Sequence, residues 1–331
     1  MFISQRGIIT YAYGASYYLE MAKSLARSLR LHSPNIPRAI VTDRENDKDL
    51  LELYDCVINI RDEYGSNVKQ KLHVYDYSPF KYTLCIDSDC IAVRDINFIF
   101  DDFKGKSFSV AGNVYLQAGD KDTFIDVDDT LKRFNLTKLP RFNGGLYYFE
   151  KNDTAKAFFE TALELAKDWQ KLGISEFRGD GPNDERIFGL AMMLHNQSMF
   201  EDNGQMMRTP IGLRGSFNID AIKGKSTFQK YNQMVSPALV HFACVWGEHP
   251  IYHREVAKLK NLEKGSTKQI NNSNIFSAIQ YKFGYQIAFL RYIAKRVPKN
   301  PKYIQARVKK LLIQLPELVK TKYKVEPVQS K

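Results

Sequence analysis

Apolar runs and helical stripes alternate along the first ninety residues of this sequence. Residues 7–13 are rich in β-branched and aromatic side chains, which predicts a strand, and Ser16 is placed to cap the helix that follows. Apolar residues recur along that helix at spacings of three and four: Tyr18, Met21, Ala22, Leu25 and Leu29. Further runs predict strands at 37–42, 56–60 and 83–86, with a helical pattern at 69–79. This β-α-β-α-β order predicts an α/β domain with a mostly parallel sheet.

The second half continues the alternation and then changes in texture. The patterns predict strands at 107–113, 145–149 and 238–242, and helices at 154–172 and 181–194. Beyond residue 258, aromatic and apolar stripes at 276–297 and 304–318 predict two further helices, the second interrupted by Pro316. The sequence therefore predicts a catalytic-sized domain at 1–257 and a helical extension at 258–331.

Charge is distributed unevenly between these two parts. The whole chain of 331 residues carries a net charge of +11. Residues 258–331 hold 17 Lys and Arg against three acidic residues, a net charge of +14, and the rest holds 31 basic and 34 acidic residues, a net charge of −3. A basic extension of this kind predicts contact with a polyanion, either a membrane surface or a nucleic acid.

The four cysteines form no CxxC pair, and two of them lie in apolar sequence beside Asp87 and Asp89. This usage is typical of a reduced, cytoplasmic protein and not of a disulfide scaffold. The N-terminal residues resemble a first strand more than a signal peptide, and no apolar run is long enough to span a membrane.

Two aspartates, Asp87 and Asp89, come directly after the apolar run at 83–86. Three other Asp-x-Asp triplets occur, at 47–49, 120–122 and 126–128, but their charged surroundings predict solvated surface. In open α/β sheets the carboxyl ends of strands line the ligand crevice. Two carboxylates there predict a site for a hard divalent ion such as Mn²⁺ or Mg²⁺.

Five blocks of this sequence resemble those of the GT-A glycosyltransferases, in particular the retaining family 8 that includes glycogenin, and they follow one another in that family's order. KLHVYDYSPFKYTLCIDSD (71–89) resembles the segment that leads into the DxD motif of that family. The remaining blocks are GIITYAYGASYYLEMAKSLARSL (7–29), RFNGGLYYF (141–149), GPNDERIFGLAM (181–192) and VHF (240–242). The resemblance implies a GT-A fold, a Rossmann-like mixed sheet flanked by helices, with the basic helical extension as an appendage.

The resemblance also implies roles for individual residues. Asp87, Asp89 and His241 would hold the divalent ion, which would bridge the diphosphate of a nucleotide-sugar, expected to be UDP-linked. The other residues implied in donor binding are Tyr11, Ala12, Tyr13, Tyr18, Lys71, Asn113, Asn143, Gly144 and Gly145. Asp184 would lie near the reacting carbon with Glu185 beside it, and Asp184 is the first candidate for a base if the reaction inverts configuration.

Each role has an alternative that the residues alone leave open. His241 could be a core histidine, the early tyrosines could pack a strand against a helix, and the Asn-Gly-Gly triplet could be a tight turn. Acidic residues are also favourable in the first turn of a helix without any catalytic role. This sequence departs from the family's H-x-x-G-x-x-K-P-W motif, because no lysine follows His241 at the expected spacing. His249, His253 or a nearby Lys or Arg could substitute for it.

The sequence thus predicts a metal-dependent hexosyltransferase, retaining by resemblance, acting on a glycan or lipid-linked acceptor. A nucleotidyltransferase is the alternative enzyme, although the turn after the first strand lacks the basic residue that holds a triphosphate. A non-catalytic protein that binds sugars or polyanions is the third hypothesis. The extension predicts peripheral attachment to an anionic membrane, with a helical hairpin packed on the first domain as the alternative and no nucleic-acid module in view.

Overall fold

A six-stranded mixed sheet forms the centre of the protein in this computed structural model, which describes residues 4–66, 68–177, 181–265 and 283–296. The strands of the sheet are β1 (Ser4–Tyr11), β2 (Arg38–Thr42), β3 (Cys56–Asn59), β4 (Phe80–Ile86), β6 (Phe108–Val110) and β9 (Leu146–Glu150). Their order is β3-β2-β1-β4-β9-β6; the first four are parallel, and β9 runs antiparallel to both of its neighbours. The predicted α/β fold with a mixed sheet is confirmed.

Helices cover both faces of this sheet. The helices of the described residues are α1 (Ser16–His32), α2 (Lys48–Leu53), α3 (Lys69–Leu72), α4 (Val74–Tyr77), α5 (Asn97–Asp102), α6 (Val127–Arg133), α7 (Asp153–Lys167), α8 (Asp184–Leu194), α9 (Pro250–Glu263) and α10 (Gly284–Arg296). Ile9 and Cys85 face a core shared with α7 and α8, whereas the neighbouring Ile8 and Leu84 face one shared with α1 and α5. Alternate residues of one strand therefore pack against different helix layers, as the pleat requires.

Smaller sheets surround the carboxyl edge of the main one. Strand β5 (Cys90–Ala92) pairs with β14 (Leu239–His241), which pairs in turn with β10 (Met207–Arg208). Strands β7 (Val114–Leu116) and β8 (Leu139–Arg141) form a two-stranded ribbon. The third small sheet is antiparallel and consists of β11 (Leu213–Asp220), β12 (Lys225–Lys230) and β13 (Gln233–Val235).

One prediction about the helices holds with an interruption, and one is wrong. The segment 69–79 is helical and ends before Pro79, but as two short helices, because His73 leaves the helical conformation between α3 and α4. Helix α1 begins after Ala15 and has no side-chain cap, so Ser16 does not cap it.

The chain forms two compact units. The first comprises residues 1–243 and 254–270, and the second comprises residues 244–253 and 271–331. Within the second, α10 packs Ala288, Phe289 and Tyr292 against Val245. The predicted helix at 304–318 lies outside the described residues, as do residues 276–282 and 297 of the predicted helix at 276–297. The predicted domain boundary at residue 257 falls inside α9. Among the described helices, none is long and apolar enough to cross a membrane.

Candidate active site

Asp87 and Asp89 lie in the tight turn between β4 and β5, at the carboxyl edge of the main sheet. The backbone N–H of Asp87 donates to the carbonyl of Gly145 (3.1 Å), the residue before β9. This contact extends the β4–β9 pairing by one residue and fixes where the first carboxylate begins. The side chains of Asp87 and Asp89 are 32% and 19% exposed, so both can still reach a ligand.

His241 reaches these carboxylates through a strand pairing. The last residue of β14 is opposite Cys90 in the antiparallel β5–β14 ladder, and the Phe242 N–H donates to the Asp89 carbonyl (2.9 Å). Nε2 of His241 lies 3.0 Å from Oδ1 of Asp89 and 3.7 Å from Oδ2 of Asp87. Of the three residues that the resemblance implied as ion ligands, His241 therefore lies beside both aspartates and nearer to Asp89.

Asn143 fixes the tautomer of that imidazole. Its Oδ1 accepts a hydrogen bond from the Gly145 N–H (3.1 Å), which identifies this atom as the carbonyl oxygen. The same Oδ1 lies 2.6 Å from Nδ1 of His241, so Nδ1 must donate. A neutral imidazole held this way directs the lone pair of Nε2 toward the aspartates, as in a histidine oriented by a hydrogen bond to bind a metal.

Both glycines of the Asn-Gly-Gly triplet are required by space. A Cβ atom on Gly145 would lie 2.5 Å from Nδ1 of His241, and one on Gly144 would lie 2.5 Å from the Tyr147 hydroxyl. Neither glycine has a positive φ. The triplet is thus small because the imidazole and the tyrosine press against it, and not because the backbone needs a left-handed turn.

The donor atoms present fit a hard divalent ion. Two carboxylates and one imidazole nitrogen are ligands that such ions take in proteins, with the remaining positions filled by water or phosphate. Asp89, Cys90 and His241 also place ligand atoms within 4.8 Å of one another. Burial raises the pKa of the Cys90 thiol well above its usual range, and its Sγ donates to the Gly145 carbonyl (3.8 Å). The carboxylates and the imidazole are therefore the better donor set.

Lys71 neutralises part of the negative charge of Asp87 and Asp184. Its Nζ donates to Oδ1 of Asp87 (2.7 Å) and to the Gly144 carbonyl (2.7 Å), and it lies 3.2 Å from Oδ2 of Asp184. Burial alone would lower the pKa of Lys71, but Asp184 and Asp87 outweigh it and raise that pKa. An ammonium has three N–H donors, and all three have partners here.

The pKa values of Asp87 and His241 also depend on burial and neighbouring charges acting in opposite directions. Burial raises the pKa of Asp87, although Lys71 and His241 oppose the shift. Burial opposes protonation of His241, but the carboxylates of Asp89 and Asp87 outweigh it and raise the pKa of the imidazole. A divalent ion between the same atoms would compete with that proton, because a metal ligand must present a free lone pair.

Asp184 and Glu185 occupy the first turn of α8 but differ in accessibility. Asp184 is buried, accepts from the Tyr147 hydroxyl (2.8 Å) and pairs with Lys71. Glu185 is 21% exposed, and its Oε1 accepts from the Gly144 N–H (2.7 Å). Burial, reinforced by Asp184, raises the pKa of Glu185 to about 6.

The residues implied in nucleotide binding lie at the end of β1. Tyr11 packs edge-on against Tyr77, and its hydroxyl is buried with no hydrogen-bond partner among the described residues. Tyr18 lies beside Tyr17, with ring centroids 4.1 Å apart, and Tyr13 is half-buried. Ala12 is buried and donates its N–H to Val41 (3.0 Å). Tyr11 therefore does have the packing role that was the alternative to nucleotide binding. That packing does not explain why its buried hydroxyl lacks a hydrogen-bond partner among the described residues.

Asp43 is a candidate site residue that the sequence reasoning did not name. It follows β2 directly, at the same sheet edge as Tyr11, and its Oδ2 accepts from the Gly14 N–H (3.1 Å). Its Oδ1 is buried and makes no hydrogen bond to any residue in the described ranges. The criterion that selected Asp87, an acid directly after a buried strand, would have selected Asp43 as well.

Asp122 corrects a prediction. The sequence predicts a solvated triplet here, but the Asp122 side chain is 3% exposed and accepts two hydrogen bonds from Arg186, from Nε (2.9 Å) and Nη2 (2.8 Å). Asp47 and Asp49 also have a partner, since both pair with Lys23 (2.9 and 3.1 Å). Asn113, by contrast, is exposed between β6 and β7.

Comparison with known proteins gives structural likenesses only. No protein-family model matches the chain, and no curated protein matches it. Mouse xyloside xylosyltransferase 1 in its apo form is 15% identical over 73% of this chain and 98% of its own, with a TM-score of 0.44. An active-site mutant of LgtC is 13% identical over 79% and 96%, with a TM-score of 0.49. The glycosyltransferase GlyE of Streptococcus pneumoniae TIGR4 is 12% identical over 88% and 64%, with a TM-score of 0.42. All three are glycosyltransferases, the class that the sequence blocks resemble.

Proposed function

We propose that the protein is a metal-dependent glycosyltransferase that moves a hexose from a nucleoside-diphosphate sugar, UDP-linked, to an acceptor hydroxyl in glycan or glycolipid synthesis. One observation carries the proposal: Asp87, Asp89 and His241 converge at the carboxyl edge of the sheet, with the imidazole locked by Asn143. A core histidine needs a single hydrogen bond, whereas this one has its second nitrogen aimed at two carboxylates.

Asp87, Asp89 and His241 would hold Mn²⁺ or Mg²⁺. When bound, such an ion supplies Lewis-acid stabilisation of the charge that develops on a departing nucleoside diphosphate. Lys71 favours the ionised form of Asp87 against the effect of burial, and its hydrogen bond orients that carboxylate. Because its three donors are occupied, we assign Lys71 to positioning and not to direct contact with the donor.

The nucleotide would lie along the end of β1. Tyr13 and Tyr18 offer rings against which a base can stack, and Ala12 leaves room beside them. Buried polar atoms without partners are rare in proteins, so the Tyr11 hydroxyl and Oδ1 of Asp43 support a polar ligand at this edge.

The hexose would lie between Asn113, the Asn143-Gly144-Gly145 triplet and the first turn of α8. The Oδ1 atom of Asn143 serves His241, which leaves its amide nitrogen to donate to a sugar hydroxyl. Glu185, partly exposed and largely ionised at neutral pH, is better suited than the buried Asp184 to face the reacting carbon. In a retaining reaction Glu185 stabilises the positive charge that develops on the sugar, and the leaving phosphate takes the proton of the acceptor.

The alternative functions differ in what they need from the same edge. A nucleotidyltransferase needs a basic residue in the turn after β1, and this turn reads Tyr-Ala-Tyr-Gly-Ala-Ser. A non-catalytic sugar-binding protein needs no locked histidine beside two aspartates. Thermal-shift measurements with UDP-sugars, nucleoside triphosphates and oligonucleotides, each with and without Mn²⁺, separate the three classes.

The decisive experiment compares Asp89→Ala with Asp120→Ala. Asp120 belongs to another Asp-x-Asp triplet and is exposed, which makes it a matched control. We expect Asp89→Ala to lose more than about 100-fold in Mn²⁺ affinity and in sugar transfer, because a direct ligand matters at least as much as its supporting residues. Wild-type rates of donor hydrolysis and transfer in Asp89→Ala would overturn the metal role. The anomeric configuration of the product, followed by NMR, tests retention.

We further propose that the C-terminal extension attaches the enzyme to an anionic membrane from the cytoplasmic side, which would favour a lipid-linked acceptor. Its net charge of +14 supports this, as does α10, where Leu290 is 67% exposed near the basic Arg291 and Lys295. His249 and His253 stay unassigned as substitutes for the missing lysine. His249 is buried and accepts from the Ile251 N–H (3.1 Å), and His253 lies 3.6 Å from Glu248.

A further inference from the structure

Arg186 is an unusual residue for the place it occupies. It belongs to the first turn of α8, where the helix dipole disfavours a positive charge. Its side chain is only 7% exposed, and a buried charge needs a partner to be tolerated. Asp122 provides that partner with a two-pronged contact, Nε to Oδ1 (2.9 Å) and Nη2 to Oδ2 (2.8 Å).

The third guanidinium nitrogen distinguishes this pair from an ordinary structural ion pair. Nη1 of Arg186 is buried and makes no hydrogen bond to the described residues. It lies 3.9 Å from Oε2 of Glu185, whose other oxygen is already held by the Gly144 N–H at 2.7 Å. The Glu185 carboxylate thus lies between a backbone donor and a guanidinium, each facing a different oxygen.

We propose that Arg186, anchored by Asp122, is a positioning residue that holds the Glu185 carboxylate toward the reacting sugar. The inference rests on the proposed function, in which Glu185 faces the sugar. Asp122 lies in the loop between β7 and α6, so the pair also fixes that loop to the first turn of α8.

Several charged groups face Glu185, and they act in opposite directions. Asp184, on the same helix, and burial favour the protonated form, whereas Arg186, Lys71 and the Gly144 N–H favour the carboxylate. Tyr147, from β9, also lies within this group. Removing the Arg186 charge from an otherwise intact site must therefore raise the pKa of Glu185.

A purely structural role for Arg186 predicts the opposite sign. If the substitution only loosened the site, water would reach Glu185 and the burial effect would shrink. The pKa would then fall toward the ordinary value for a glutamate, about 4.3. The direction of the shift separates positioning from packing.

The test follows Glu185 directly by ¹³C NMR in protein labelled at the glutamate carboxyl carbon, with Glu185→Gln to assign the signal. We expect Arg186→Met to raise the titration midpoint by at least about half a pH unit, the size of a weakly screened charge near 4 Å, and Arg186→Lys to restore most of it. The acid limb of kcat/KM for transfer should move the same way, with kcat reduced and Mn²⁺ affinity within twofold of the wild type. Arg133→Met, which breaks the exposed pair with Asp129, is the control and should change neither.

An unchanged or lowered midpoint in Arg186→Met would overturn the inference. If Arg186→Met does not fold, Arg186→Lys alone decides. A lysine keeps the positive charge but cannot form the two-pronged pair with Asp122, so the midpoint should stay near the wild-type value while kcat falls. A wild-type kcat in Arg186→Lys would then overturn the positioning role.

The NMR titration does not require activity. A wild-type protein that neither binds Mn²⁺ nor transfers sugar would therefore refute the proposed function, while the measurement on Glu185 still tests the pair.

Discussion

Gly145 lies so close to His241 that a single methyl group would displace the imidazole. A methyl group on Gly144 would likewise collide with the Tyr147 hydroxyl, and Asn143 holds Nδ1 of the imidazole. The imidazole thus has one available position, which directs Nε2 at the two aspartates. At the scale of single residues, the candidate ion site is determined by volume and by one hydrogen bond.

Gly145→Ala should therefore reduce Mn²⁺ affinity by about 10- to 100-fold, the usual effect of disturbing the residues that orient a ligand. The substituted Cβ would lie 2.5 Å from Nδ1, so the ring must move. Calorimetric titration with Mn²⁺ measures the effect. Gly105→Ala is the control, since Gly105 has a φ of +82° in open space: it should lose stability through backbone strain and keep its Mn²⁺ affinity.

The pKa of Glu185, raised to about 6, predicts the acid limb of the pH profile. Below that pH the side chain is protonated and cannot stabilise positive charge on the sugar; above it the carboxylate forms and activity rises. We expect kcat/KM for transfer to fall about tenfold for each pH unit below 6. Glu185→Gln should be slow at every pH and should lack this limb, and a limb retained in that variant would assign it to another group.

Sequence reasoning named Asp87, Asp89 and His241 as candidates but not the contacts that hold these side chains in place. The aspartates were identifiable because they follow a buried strand. Asp122 was not, because its partner Arg186 is 64 residues away and nothing in the local pattern indicates the pairing. Likewise, the resemblance places Asn143 in the sugar pocket, and its bond to His241 depends on a contact across 98 residues.

At the scale of elements, the first turn of α8 carries the most site residues. Its N-cap is Asn183, whose side chain accepts from the Arg186 N–H (3.2 Å). Helix α7 begins in the same way, with Asn152 accepting from Ala155 (2.8 Å), but carries none of the proposed site residues. Asn152 and Asn183 thus make the same type of N-cap hydrogen bond, so substituting each allows a direct comparison.

Asn183→Ala and Asn152→Ala should each cost about 1 kcal/mol of unfolding free energy, the usual value of such a cap. Only Asn183→Ala should also reduce kcat, by about tenfold, because a small displacement of Glu185 misplaces a group at the reacting carbon. Urea unfolding and steady-state kinetics on both variants measure this. Equal kinetic effects in the two would show that stability alone, and not the position of α8, governs the rate.

Long periodic elements followed from the sequence, and most short ones did not; β6 and β14, of three residues each, are exceptions because they lie in the longer apolar runs at 107–113 and 238–242. The central strands and helices α1, α7 and α8 lie where the patterns predicted them, since each has several residues of consistent burial. Strands β5, β7, β8 and β10 have two or three residues each, too few to show a period, and they exist because of partners distant in sequence. His241 reaches the site on one of these pairings.

At the scale of the whole molecule, the basic residues of 258–331 contrast with a first part of slightly negative charge. The predicted boundary at 257 lies inside α9, where Glu263 binds Arg27 (2.5 Å) and Arg30 (2.7 Å). A cut at that point would leave the buried Arg27 without its carboxylate. A variant ending at residue 265 keeps this contact and is the better test of the extension.

Full-length protein should sediment with vesicles that contain phosphatidylserine, and the 1–265 variant should not. Each basic residue near an anionic surface contributes about 1 kcal/mol, so the binding should weaken steeply with added salt. Neutral phosphatidylcholine vesicles are the control. Equal binding of both proteins to anionic vesicles would exclude the extension as the attachment site.

The pairing of β5 with β14 has a thermodynamic consequence. Because His241 belongs to β14 and Asp89 precedes β5, an ion bound by both can bind only after these strands have paired. Ligands that bind only the paired state must stabilise it, so Mn²⁺ should slow hydrogen exchange at the amides of Val93 and Phe242, which donate across this pairing, more than at those of β2. The rigidity of this small sheet would then depend on the supply of metal.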